Sequence, residues 1–176
     1  MDKPMTDFDK LVSLTDNIKN PKIREFTVEF LKAAPEYFKH VPASSGGRYH
    51  PSYCLGEGGL VRHTIAATKI LEYILSLDYM KQTFTVLQRD KMISAIMTHD
   101  SYKQGLGDTG HTVKEHEVIA KDKINEFLGV EYSHIGQLVL THMGEWSNNP
   151  PKNLAEFLVH LSDYIASRKD IEVNVG

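Results

Sequence analysis

Cysteine is nearly absent. Cys54 is the single one among 176 residues, which excludes an internal disulfide and, with no CxxC pair, thiol-based zinc ribbons and thioredoxin chemistry. No apolar run approaches the roughly 18 residues of a membrane span, and Met1-Asp2-Lys3-Pro4 lacks the apolar stretch of a secretory signal, so a cytoplasmic protein with no membrane partner is expected. Neither sign of charge dominates: 20 Lys and Arg stand against 23 Asp and Glu, which argues against a basic face for long nucleic acid but leaves room for a small anionic substrate. Internal repeats and low-complexity tracts are also lacking. With 41% hydrophobic residues the chain is long enough to bury a core without help from a metal, so any metal it holds is expected to serve chemistry. What the sequence does have in quantity is histidine, nine in all.

No segment alternates with period two, whereas helical periodicity recurs along the chain, so the fold is expected to be all-α, a single bundle of about six to seven helices spanning 1–176. Helices are predicted near 6–18 and 21–33, the second with Phe26, Phe30 and Leu31 on one stripe and ended by Pro35. A connection over 35–57 holds prolines, glycines, Tyr, His and Arg, and a loop of that length inside one domain is expected to shape a pocket. The core, 58–170, is read as helices near 58–77, 79–84, 89–99, 114–127, 132–142 and 153–168, punctuated by glycines including Gly129 and by Pro150-Pro151.

His63, His99-Asp100, His116, His142 and Asp163 each fall on or just after one of these helices. Imidazole and carboxylate ligands gathered from helix ends make a mixed N/O shell suited to Mn, Fe, Co, Ni or Zn, with Mg a further option. Neighbours on a helix point about 100° apart, so His99 and Asp100 reach one region only at a helix end, where Asp100 can bridge two cations. Lys103 returns to nearly the same face as Asp100, within reach of a phosphate oxygen.

The segments GGLVRHT (58–64), THDSYK (98–103), KEHEVIAK (114–121), THMGEW (141–146) and LSDYIASR (161–168) together resemble the HD-domain phosphohydrolases, whose pattern is H…HD…D with an optional extra histidine pair. The resemblance implies His63, His99, Asp100 and Asp163 as ligands of a first divalent metal and His116 and His142 as those of a second. It further implies a water activated between the two cations that attacks phosphorus, with Asp100 and Lys103 as the catalytic pair. Either His111 or His116 can fill the third-histidine position. His116 is preferred because it opens an amphipathic helix (Val118, Ile119, Ile124, Phe127), which leaves His111, in a glycine-rich loop, to contact substrate phosphate. The stretches 42–64 and 142–168 are also similar to the HD domain of a bacterial 3′-to-5′ exoribonuclease family, and LSDYIASR to HD-type diadenosine tetraphosphate hydrolases.

The expected activity is hydrolysis of a nucleotide or other small phosphoester. The alternatives are phosphodiesterase or 3′-to-5′ exonuclease action on a short single-stranded oligonucleotide, and a non-hydrolytic oxygenase or ligand-binding module. Trp146 is read either as a stacking surface for a base or as a loop anchor. Arg168, ahead of Arg48 and His50, is the basic residue best suited to phosphate. His160, one turn before Asp163, either orients that aspartate or packs in the core, whereas His40 and His134 are read as surface residues. GLGDTG lacks the strand a dinucleotide fingerprint needs, GEGG lacks the Lys-Ser/Thr of a P-loop, and Ala120 stands where HExxH needs its second histidine.

Overall fold

A computed structural model describes residues 4–44, 46–47, 50–128, 132–171 and 173–175. Among them are eight α-helices and no strand: α1 (Asp7–Ser13), α2 (Pro21–Ala33), α3 (Gly59–Ser76), α4 (Asp78–Thr83), α5 (Val86–Thr98), α6 (His116–Leu128), α7 (Ser133–Leu140) and α8 (Leu154–Ala166). Arg48 and Gly129 lie outside the described residues. No described helix is long and apolar enough to cross a membrane.

Local chemistry sets the starts. Thr6 and Asp9 exchange bonds in a capping box at α1, Thr85 and Gln88 do the same at α5, and Asn20 and Asn153 cap α2 and α8. The Thr85 box moves the start of α5 to Val86, ahead of the expected 89. The helix expected over 6–18 is shorter than its periodicity: α1 ends at Ser13 and a 3₁₀ turn, Leu14–Asn17, follows. There the Ser13 and Thr15 hydroxyls donate to the Lys10 and Val12 carbonyls, each at 2.7 Å, in competition with the backbone ladder.

The central element is α5, packed against α2, α3, α7 and α8. Every residue from Met92 to Thr98 is buried, and its polar members are satisfied: Ser94 Oγ meets Thr27 Oγ1 at 2.7 Å and Thr98 Oγ1 donates to the Ser94 carbonyl at 2.8 Å. Asp90 of α5 accepts the Lys19 and Asn20 backbone N–H groups at 3.1 and 2.7 Å, pinning the entry of α2.

The long connection contains two 3₁₀ turns, Glu36–Lys39 and Ser52–Cys54, and is tied down by Arg62 of α3. Its guanidinium donates to the Tyr53 carbonyl (2.6 Å), the Leu55 carbonyl (2.8 Å) and Asp7 Oδ2 (2.8 Å). Gly59 is required where the connection lies on α3, because a Cβ there would sit 2.1 Å from the Cys54 carbonyl oxygen. Tyr53 in turn donates to the Ala166 carbonyl at 3.1 Å, so the connection bridges α3 and the end of α8.

Candidate metal centre

Five helices deliver the histidines and aspartates to one place. His63 lies in the second turn of α3, His99 caps the end of α5 with Asp100 in the turn beyond, His116 is the first residue of α6, His142 follows α7, and Asp163 lies in α8. The 104–112 excursion is closed by Val113 N–H donating to the Lys103 carbonyl at 2.8 Å, which returns the chain to Asp100 just before α6 begins. Glu115, at φ 63°, is the one described non-glycine residue in the left-handed region, and its turn starts α6 at His116 instead of the expected 114.

The two oxygens of Asp100 face different histidines. Oδ1 lies 3.1 Å from His116 Nε2 and 3.7 Å from His142 Nε2, while Oδ2 lies 3.5 Å from His99 Nε2 and 3.8 Å from His63 Nε2. Asp163 Oδ1 completes the second group at 2.8 Å from His63 Nε2 and 3.4 Å from His99 Nε2. Ligand atoms of His63, His99 and Asp163 lie within 4.8 Å of one another, as do those of His99, Asp100 and His142.

Three of the rings have their protons fixed by the backbone. Nδ1 of His99, His142 and His116 lies 2.6, 2.7 and 3.2 Å from the carbonyl oxygens of Ile96, Val139 and Val113, and a carbonyl only accepts, so each Nδ1 carries the hydrogen. The Nε2 lone pairs of His116 and His142 then point toward Asp100 Oδ1, acceptor against acceptor, while His99 Nε2 faces the Asp100 and Asp163 carboxylates. His99, His116 and His142 Nε2 and Asp100 Oδ1 are all buried without a hydrogen-bond partner among the described residues. Buried polar atoms are seldom left so. Lone pairs of imidazole and carboxylate converging on shared space are a donor set that fits divalent cations.

Electrostatics point the same way. Burial alone would lower the His99 pKa, but the Asp100 and Asp163 carboxylates push it up to about 10. Burial opposes the charge of those carboxylates too, yet Lys103 and His99 beside Asp100, and His99 and His63 beside Asp163, hold both well below the usual range. His142 is shifted down by its burial. The pocket therefore holds anionic carboxylates, which draw a second proton onto His99 where a cation could stand instead. Lys103 adds positive charge: its ammonium donates to Asp100 Oδ2 at 2.6 Å, and that carboxylate raises its pKa against the opposing effect of burial.

The other expected residues lie further out. His111 is exposed, its Nδ1 2.8 Å from the Thr109 carbonyl, on a surface pocket that also touches Lys103. Trp146 is 58% exposed with one face stacked on Tyr164, ring centroids 5.6 Å apart and 8° from parallel. Arg168 packs its guanidinium over the same Tyr164 ring at 5.1 Å. His160 does not turn to Asp163; its Nδ1 lies 2.7 Å from the His142 carbonyl. Gly144, at φ 59°, leaves the room this needs, since a Cβ there would be 2.2 Å from His160 Cε1. His40 and His134 are exposed.

Two residues gain importance only in three dimensions. His50, from the long connection, places its ring 5.9 Å from that of His63, and burial pushes its pKa down to about 4. Glu117 is buried to 2% exposure beside His116 and makes no hydrogen bond to a described residue, with His116 Nδ1 3.8 Å from its Oε2. Spacing gave no hint of Glu117, which figured only in a failed HExxH.

No family model matches the chain, and no solved structure matches it significantly. Among curated proteins it is similar to the dihydroneopterin 2′,3′-cyclic phosphate phosphodiesterase of Methanocaldococcus jannaschii, with 25% identity over 186 residues, covering 95% of this chain and 72% of that protein.

Proposed function

We propose that the chain is an HD-type, metal-dependent phosphodiesterase that hydrolyses a small phosphoester. The observation that carries this is the division of Asp100: one oxygen faces His116 and His142, the other His99 and His63, with Asp163 closing the latter group. That division supports two cations per chain sharing Asp100, one held by His63, His99, Asp100 and Asp163 and the other by His116, His142 and Asp100. The predominance of imidazole favours Mn, Fe, Co, Ni or Zn over Mg. Such cations supply Lewis acidity toward a phosphoryl oxygen and bring the pKa of water toward neutrality.

The chain's own groups prepare the site for them. Lys103 holds Asp100 in place and offsets its charge. Backbone carbonyls hold Nδ1–H of His99, His116 and His142, so that each turns Nε2 inward as the ligand atom a cation would take. His160 anchors the turn bearing His142. His50, uncharged at neutral pH, flanks the His63 side without adding to the positive charge.

The similarity to a cyclic-phosphate phosphodiesterase favours a diester over a monoester, and a cyclic phosphodiester is the first class to assay. Metal-loaded protein is expected to open 2′,3′-cyclic phosphates to monoesters, and a short single-stranded oligonucleotide tests the exonuclease alternative. Metal-replete protein inert toward cyclic and linear diesters, with iron-dependent oxygen uptake in their place, would contradict the proposal.

A further inference from the structure

A cavity of about 390 Å³ opens beside the candidate metal centre, lined by residues 112–117, Met143 and residues 145–149. Its volume is that of a small-molecule site, and His116 belongs to its lining, so a molecule in it would border the proposed reaction centre. Two groups in its wall keep binding capacity that the fold leaves open. Glu117 keeps a carboxylate in the lining at 2% exposure, with no hydrogen bond to any described residue. The His116 Nδ1 proton already goes to the Val113 carbonyl, and Glu117 at 3.8 Å is too far to receive it. Trp146 lines the same cavity and remains 58% exposed although Tyr164 covers one of its faces. A large exposed indole, backed by a second ring and lining one cavity with a buried acceptor, suits a flat ligand that brings its own N–H donors.

We infer that this cavity is the subsite for the leaving-alcohol side of the substrate, and that it takes an aromatic heterocycle with a ring N–H adjacent to an exocyclic amino group, stacked on Trp146 and paired through that edge with Glu117. This assignment rests on the phosphodiesterase reading above. Carboxylate oxygens accept, and two adjacent N–H groups engage both of them in parallel. A guanine-type, 2-amino-4-oxo-pyrimidine edge offers that pair. An adenine-type edge puts an acceptor next to its amino group, and a uracil-type edge flanks one N–H with two carbonyls, so each sets a lone pair against the carboxylate. Stacking on Trp146 binds any ring; Glu117 makes the choice among them.

The test uses full-length, metal-loaded protein and three cyclic phosphodiesters: guanosine 2′,3′-cyclic phosphate, the inosine analogue lacking only the amino group, and glycerol 1,2-cyclic phosphate, which has no ring. The guanosine ester is expected to exceed the inosine ester in kcat/KM by about tenfold or more, as loss of one charge-assisted hydrogen bond implies. Glu117→Gln should bring that ratio close to one with metal content retained, and Trp146→Ala should raise KM for both ring-bearing esters. Trp146 is the only tryptophan, so its fluorescence reports occupancy without turnover: guanosine should quench it at lower concentration than inosine. Equal kcat/KM for all three esters would overturn the subsite, as would a Glu117→Gln variant that loses metal and slows all three alike, which would make Glu117 a positioning group for His116. If no ester is cleaved the phosphodiesterase reading fails separately. Selective quenching by guanosine would then still support the subsite, and its absence would remove it.

Discussion

Asp90 and Asp100 are both buried carboxylates, 3% and 2% exposed, one near the start of α5 and the other just past its end, and they serve opposite ends. Asp90 receives two backbone N–H groups, from Lys19 and Asn20, and so completes the polar requirements of its surroundings. Asp100 receives the Lys103 ammonium on one oxygen, while the other is left among histidine lone pairs that cannot donate to it. A buried carboxylate matched to donors holds a fold together. One set among further acceptors costs stability on its own and is a place a metal cation could fill.

Substitutions can break or sharpen this contrast. The largest effect is expected from Asp100→Ala, which removes the ligand proposed to be shared: bound metal and phosphodiester turnover should vanish together, as read by elemental analysis and a phosphodiester assay, while helical circular dichroism persists. Wild-type turnover in that variant would rule out the shared-ligand arrangement. His116→Ala should next lower metal content from about two to about one per chain, whereas His111→Ala, at an exposed position, should leave it unchanged. Metal loss on His111 replacement instead would transfer the ligand role to it.

Lys103→Ala keeps every ligand but frees Asp100, and by analogy with other groups that orient metal ligands it should cost about 10–100-fold in metal affinity or activity. Asp90→Ala is the smallest in function and the clearest in stability. Two charge-assisted bonds at the head of α2 are lost, which should cost about 1.5–3 kcal/mol and lower Tm by roughly 3–12 °C, with metal stoichiometry intact. If Asp90→Ala released metal as readily as Asp100→Ala, the two carboxylates would not differ as described.

Much of this was legible in the sequence, for reasons that can be named. The apolar periodicity of α2, α3 and α8 marks helices because each buries one face, and the place of the His99-Asp100 pair was legible because adjacent side chains reach one region only at a helix end. The end of α1 was not legible, since it turns on Ser13 and Thr15 hydroxyls taking backbone carbonyls. Nor was the partner of His160, which depends on where the turn after α7 comes to rest. Glu117 was hidden more deeply. Its burial arises from two loops distant in sequence meeting across a cavity, and no pattern within 112–117 alone records that.

The most direct test of the central claim is metal stoichiometry by elemental analysis of wild-type protein beside Asp90→Asn and Asp100→Asn, all loaded with Mn or Fe under identical conditions. The division of Asp100 between two histidine groups predicts about two ions per chain for the wild type and for Asp90→Asn, and a collapse to one or fewer for Asp100→Asn. Two ions per chain retained in Asp100→Asn, or none in the wild type, would contradict it.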